Sequence, residues 1–138
     1  MNRTNISTGG PYEATNGYSR CVKIERAAGG GGGHTDFFFA GTTAVNPDGS
    51  IEHEGDAGGQ ARVILERIGR VLEEHGASLA HVVATRMYVV DAGHAPAVGL
   101  AHGAVFKDVR PAATLLVVAG LVDPRMLVEI EAHAVAPR

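Results

Sequence analysis

Residues 127–135, Leu-Val-Glu-Ile-Glu-Ala-His-Ala-Val, alternate with a period of two, and this alternation restricts the fold more than any other feature of the chain. Successive side chains of an extended strand point to opposite faces. Val128, Ile130, Ala132 and Ala134 therefore share one face, and Leu127, Glu129, Glu131, His133 and Val135 share the other. The first face is apolar throughout and needs a covering layer. The second mixes acids with apolar groups, which leaves two readings open: a solvated face, or one that meets another subunit so that its carboxylates line a cleft between chains.

A cover for the apolar face is present earlier in the chain. From Gln60 onward, Ala61, Ile64, Leu65, Ile68 and Leu72 recur at helical spacing opposite Arg62, Glu66, Arg70, Glu73 and Glu74. Asp56 is placed to cap the start of this helix and Gly76 to stop it. Residues 21–25 and 36–41 are expected as strands of a hairpin whose enlarged loop carries five consecutive glycines, Gly29 to Gly33. A strand rather than a helix follows those glycines, so a flexible hairpin tip is expected and not a phosphate cradle. Residues 82–91 form a further strand, with Arg86 and Tyr88 on one face and Val83, Met87 and Val89 on the other. Residues 95–106 form a second helix, and residues 112–119 and 126–135 are the closing strands. The order is β-β-α-β-α-β-β, an α+β sheet with two helices packed on one face. Residues 1–18 are polar and rich in Gly, Asn and Thr, and are expected to be a loosely held lead-in to a single domain spanning residues 1–138.

Composition narrows the function classes. Cys21 is the only cysteine, which removes an internal disulfide framework and any cysteine-based zinc site. The seven histidines show no His-X-His or His-Glu-X-X-His spacing, so no metal is expected. A net charge of −3 without basic clusters argues against nucleic acid as a partner. No apolar run approaches the roughly 18 residues needed to cross a bilayer. The first residues hold no apolar core for export, so a cytoplasmic location is expected.

Several short stretches together resemble the RidA, or YjgF, family, also known as L-PSP endoribonucleases. They are Tyr18-Ser19-Arg20, Phe39-Ala40-Gly41-Thr42-Thr43, Gly55-Asp56 with Gln60-Ala61-Arg62, Thr85-Arg86-Met87-Tyr88-Val89, Arg110-Pro111-Ala112 and Val128-Glu129-Ile130-Glu131-Ala132. The resemblance implies a chorismate-mutase-like fold, a homotrimer forming a central β-barrel, and clefts for a small metabolite between neighbouring subunits. It also implies hydrolysis of reactive 2-imino acids to keto acids and ammonia, a reaction that needs no metal or bound cofactor. In such a site an arginine fork holds the substrate carboxylate and a glutamate positions the attacking water.

Carried over position by position, Glu129 matches the family glutamate and Tyr18 the tyrosine that closes the cleft. The family arginine follows a Pro-Ala pair, and in Pro111-Ala112-Ala113-Thr114 its place is taken by Ala113. Ala40 stands for a small polar residue before the strand glycine Gly41, Gly99 for a helix asparagine, and Leu115 for a polar residue beyond the arginine. Ala113, Thr114, Ala40, Gly41, Gly99 and Tyr18 are thus the expected ligand-binding positions. Arg110, Arg86 and His102 are candidates to compensate for the lost arginine; an odd offset in an extended chain argues against Arg110, and a structural ion pair to Glu129 or Glu131 is the plainer reading of Arg86. With its clamp missing, the chain is not expected to be a standard 2-imino-acid deaminase. The alternatives are an imine or enamine deaminase acting on a different substrate, and an endoribonuclease, for which neither charge nor motif speaks.

Overall fold

In the computed structural model, which describes every residue except Ala28, the alternating segment is an interior strand of a six-stranded mixed sheet. The strands are β1 (Asn2–Ile6), β2 (Cys21–Arg26), β3 (His34–Thr42), β4 (Val82–Val89), β5 (Ala112–Val117) and β6 (Val128–Pro137). Their spatial order is β1-β2-β3-β6-β4-β5. All neighbours are antiparallel except β4 and β5, which are parallel. A parallel pair needs a crossover, and α3 (Ala95–Phe106) supplies it. β5 and β6 follow each other in the chain, yet β4 lies between them.

β6 is paired on both sides, and its alternation is obeyed along its length: Val128, Ile130, Ala132 and Ala134 are buried, while Glu129, Glu131, His133 and Val135 are half-buried on the open face. The long helix α2 (Ala57–Glu74) covers the apolar face with Ile64, Leu65, Ile68 and Leu72, and α3 adds Val98 and Phe106. From the sheet, Phe37, Phe39, Met87, Val89, Val128 and Ile130 meet them. The Asp56 carboxylate accepts the Gly59 amide at 2.9 Å and caps α2. At the other end Gly76 takes a left-handed φ of 81°, and the Ala77 and Gly76 amides bond back to Leu72 and Glu73, closing the helix in a Schellman arrangement. Both ends stand where the sequence placed them.

The hairpin of β2 and β3 closes on the Arg26–His34 pair, and the glycines lead into a strand as expected. Among the described residues no helix is long and apolar enough to cross a membrane.

Two expectations fail. Residues 1–18 are not a loose lead-in: β1 pairs with β2 from Asn2↔Glu25 to Ile6↔Cys21, and the short helix α1 (Glu13–Asn16) carries a buried glutamate. The Glu13 carboxylate accepts the amides of Gly10 at 2.6 Å and Arg20 at 3.0 Å, and so fixes the turn into β2. An edge strand is held by its backbone hydrogen bonds and needs few apolar side chains, so composition conceals it. Val83 also breaks parity. A register shift between Val82 and Ala84 turns it outward, 44% exposed, and Thr85, Met87 and Val89 form the covered face.

Candidate functional site: the Glu129 carboxylate and its surroundings

Glu129 projects from the middle of the open sheet face, opposite Tyr88 on β4. On its other side the β3 strand bulges between Phe39 and Thr42, which sets Gly41 against the glutamate. A Cβ at Gly41 would overlap the Glu129 carboxylate. The glycine leaves room for the Glu129 carboxylate in this position, and a larger residue there would push that side chain aside. No described residue donates a hydrogen bond to Glu129. Burial and the neighbouring charge of Glu131 push its carboxyl above the ordinary carboxylate range, while Arg20 pulls partly the other way.

Arg20 organises the surroundings. Its Nη1 donates to the Gly41 carbonyl at 2.7 Å and to Thr42 Oγ1 at 3.2 Å, and its Nη2 donates to the Tyr18 hydroxyl at 3.0 Å. The guanidinium carbon also lies 5.3 Å from the centre of the Tyr18 ring. One nearly buried cation thus ties Tyr18 to the backbone of Gly41 and, through it, to Glu129. The sequence reading carried over Tyr18 but passed over Arg20, although Tyr18-Ser19-Arg20 is one of the quoted stretches. The available signal was an arginine two residues from the tyrosine at a strand entrance.

Glu131, the next residue on the same face, is engaged elsewhere. The Tyr88 hydroxyl donates to Glu131 Oε1 at 2.8 Å, and Arg86 Nη1 lies 3.6 Å from Glu131 Oε2. Of the two partners open to Arg86, the structure selects Glu131, so Arg86 does not stand beside Glu129. Hydrogen bonding to Glu131, with burial, raises the Tyr88 phenol above its ordinary value.

The remaining candidates lie apart. Arg110 adopts a left-handed φ of 52° in the turn after α3, and its exposed side chain donates to the Lys107 carbonyl at 3.1 Å. His102 lies under the sheet: its Nε2 is 2.9 Å from Thr85 Oγ1 on the covered face of β4, its ring packs on Phe106, and burial lowers its pKa. The sheet itself separates His102 from Glu129. Gly99 is exposed on α3 with open space around its Cα.

Ala113 and Thr114 lie on β5, which is an edge strand, and both are exposed. Ala113 pairs with Thr85, whereas Glu129 is level with Tyr88 and Leu116. Two strand spacings and three residues of rise separate Ala113 from Glu129 by roughly 14 Å. One chain thus brings Gly41 against Glu129 and links Tyr18 to them through Arg20, while Ala40 and Tyr18 line a shallow pocket that does not include Glu129 and Ala113, Thr114 and Gly99 lie elsewhere. Among the described residues no group of His, Cys, Asp or Glu side chains could hold a metal.

Taken chemically, a desolvated carboxylate with free lone pairs beside a tyrosine can orient or deprotonate a water molecule. Among the described residues no arginine forms a hydrogen bond or ion pair with it.

Comparison with known proteins identifies the family of the chain and its fold. The family profile described as "Endoribonuclease L-PSP" matches residues 11–136. The crystal structure of Rv2704 from Mycobacterium tuberculosis, described as a member of the YjgF/YER057c/UK114 family, superposes with a TM-score of 0.79 at 37% identity, covering 96% of this chain and 98% of that one. An uncharacterised protein from Streptomyces coelicolor, SCO2049, is 36% identical over 94% of this chain and 89% of its own length. The 3-aminoacrylate deaminase RutC of Acinetobacter baylyi is 32% identical over 70% of this chain and 76% of its own. With the profile spanning nearly the whole chain and the fold matching as closely, the protein belongs to the YjgF/Rid family.

Proposed function

We propose that the protein is a homotrimer that binds a small metabolite in clefts between subunits, with Glu129 in the cleft, and that it is not a standard 2-imino-acid deaminase. The observation that carries the reading is the state of Glu129: half-buried, unbonded, pressed against Gly41 and flanked by Tyr18 through Arg20. Such a carboxylate is costly to maintain unless something uses it. Ala113 supports the second half of the proposal, because it supplies no charge where the family arginine would hold a substrate carboxylate. The separation of Ala113 from Glu129 within one chain supports a cleft that a second chain completes, and a trimer would close the open sheet faces into a barrel.

A second reading is favoured by a specific pair of observations, the raised pKa of Glu129 and the similarity to RutC. In this reading Glu129 activates water for hydrolysis of an imine or enamine whose recognition does not depend on position 113. Generating 2-iminopropionate or 2-aminoacrylate in situ and measuring ammonia release separates the two. The first reading expects release at the uncatalysed rate. Release well above it that is abolished in Glu129→Gln would establish the second. Ala113→Arg is expected to create or raise affinity for a keto acid; an unchanged titration would mean that the cleft is shaped for a different kind of ligand.

A further inference from the structure

A cavity of about 440 Å³, lined in part by Arg20 but not by Glu129, opens between α2 and the segment that follows β1. Its size falls in the range of small-molecule pockets, about 300–1,000 Å³. Phe39, Ile68 and Val71 form an apolar floor. Ser7 and Thr8 face it from the N-terminal segment.

The charges around the cavity do not balance. Arg20 is only 9% exposed, and its guanidinium bonds are all to neutral oxygens: a carbonyl and two hydroxyls. The nearby Glu13 carboxylate is turned to backbone amides, and no described carboxylate lies within ion-pair distance of Arg20. Arg67 is different, since Glu52 neutralises it at 2.8 Å and its other bonds hold the loop before α2. Arg70, one turn on along α2, is exposed at the lining and has no ion-pair partner among the described residues. Against these cations the lining offers one acid, Glu74. A nearly buried guanidinium that makes no direct ion pair and bonds only neutral oxygens, with Glu13 close by but turned to backbone amides, is incompletely compensated, and an anion entering the cavity would add a charge-assisted partner.

We propose that this cavity is a second ligand site, separate from the Glu129 cleft, and that it takes a small organic anion: a carboxylate or phosphate group joined to a compact apolar body. Arg20 meets the anionic group from the inner wall and Arg70 from the mouth, while Phe39, Ile68 and Val71 receive the apolar part. Ser7 and Thr8 supply hydroxyl donors, which gives the segment after β1 a role beyond edge pairing.

The test uses calorimetric titration of the intact protein with phenyl phosphate, benzoate and the neutral benzyl alcohol. At least one anion is expected to bind with a Kd below about 1 mM, and the alcohol is not. Arg70→Glu, an exposed helix position where folding is retained, is expected to weaken anion binding by about tenfold or more. In amide NMR spectra the shifts are expected to fall on residues 7–10 and 67–74. Absence of anion binding, equal binding of the alcohol, an Arg70→Glu variant that binds as wild type, or shifts confined to residues 127–131 would each overturn the proposal.

Discussion

Glu129 is held in a state that costs the fold something, and the sign of that cost is testable. Its folded carboxyl binds a proton more tightly than the unfolded one, first because of burial and then because of Glu131. Stability from this group is therefore full below the ordinary carboxylate range and is lost as pH rises through the raised value. Glu129→Gln should stabilise the protein at pH 7 and change little at a pH where the carboxyl is already protonated. Urea unfolding of both proteins at the two pH values checks this, and an equal difference at both would contradict it. Cys21 lies at the other extreme, fully buried, with its thiol pushed up to about 12 by loss of solvent. At pH 8 about one thiol in ten thousand would be ionised. A thiol reagent such as DTNB should leave the native protein unlabelled and react completely once guanidinium unfolds it. The lone cysteine was legible in the sequence; its inertness is a consequence of its burial in the core at the start of β2.

Among the elements, α2 was the most legible, because Asp56, the apolar spacing and Gly76 all act within a few residues of one another. Its inner face hides one polar group that periodicity did not flag. Gln60 is fully buried, and its Nε2 donates to the Arg125 carbonyl at 2.9 Å while its Oε1 accepts the Leu127 amide at 2.9 Å. It clamps the loop between β5 and β6 onto the helix and so sets where β6, and Glu129 with it, begins. Replacing it by Leu leaves those backbone groups unpaired, which should lower stability by about 2–4 kcal/mol. Chemical denaturation giving a loss under about 0.5 kcal/mol would mean that the loop is held by other contacts. β1 was illegible for the converse reason: its pairing with β2 uses main-chain groups that every residue possesses.

For the whole molecule, the open face of the sheet is the outstanding feature. Phe38 is 40% exposed there and Leu116 on β5 51%, beside the half-buried Glu129, Glu131 and His133. A face of this mixture is expected to be covered in solution. Light scattering at micromolar concentration should report three times the 14.3 kDa mass of one chain. A monomeric mass would remove the cleft between subunits and leave Glu129 facing solvent.

The identities of α2, α3 and the strands β2 to β6, the burial of alternate residues in β6 and the absence of an arginine at position 113 follow from the sequence, because each rests on local periodicity or on the residue itself. The tertiary structure decided what depends on distant segments meeting. It placed Gly41 against Glu129, turned Arg20 inward to join Tyr18 and Thr42, and gave Glu131 rather than Glu129 to Arg86. It also sent His102 to the covered side of the sheet and turned Val83 outward at a bulge. In each case the position is fixed by strand register and helix docking, and these are set by the summed packing of the core rather than by any neighbouring residue.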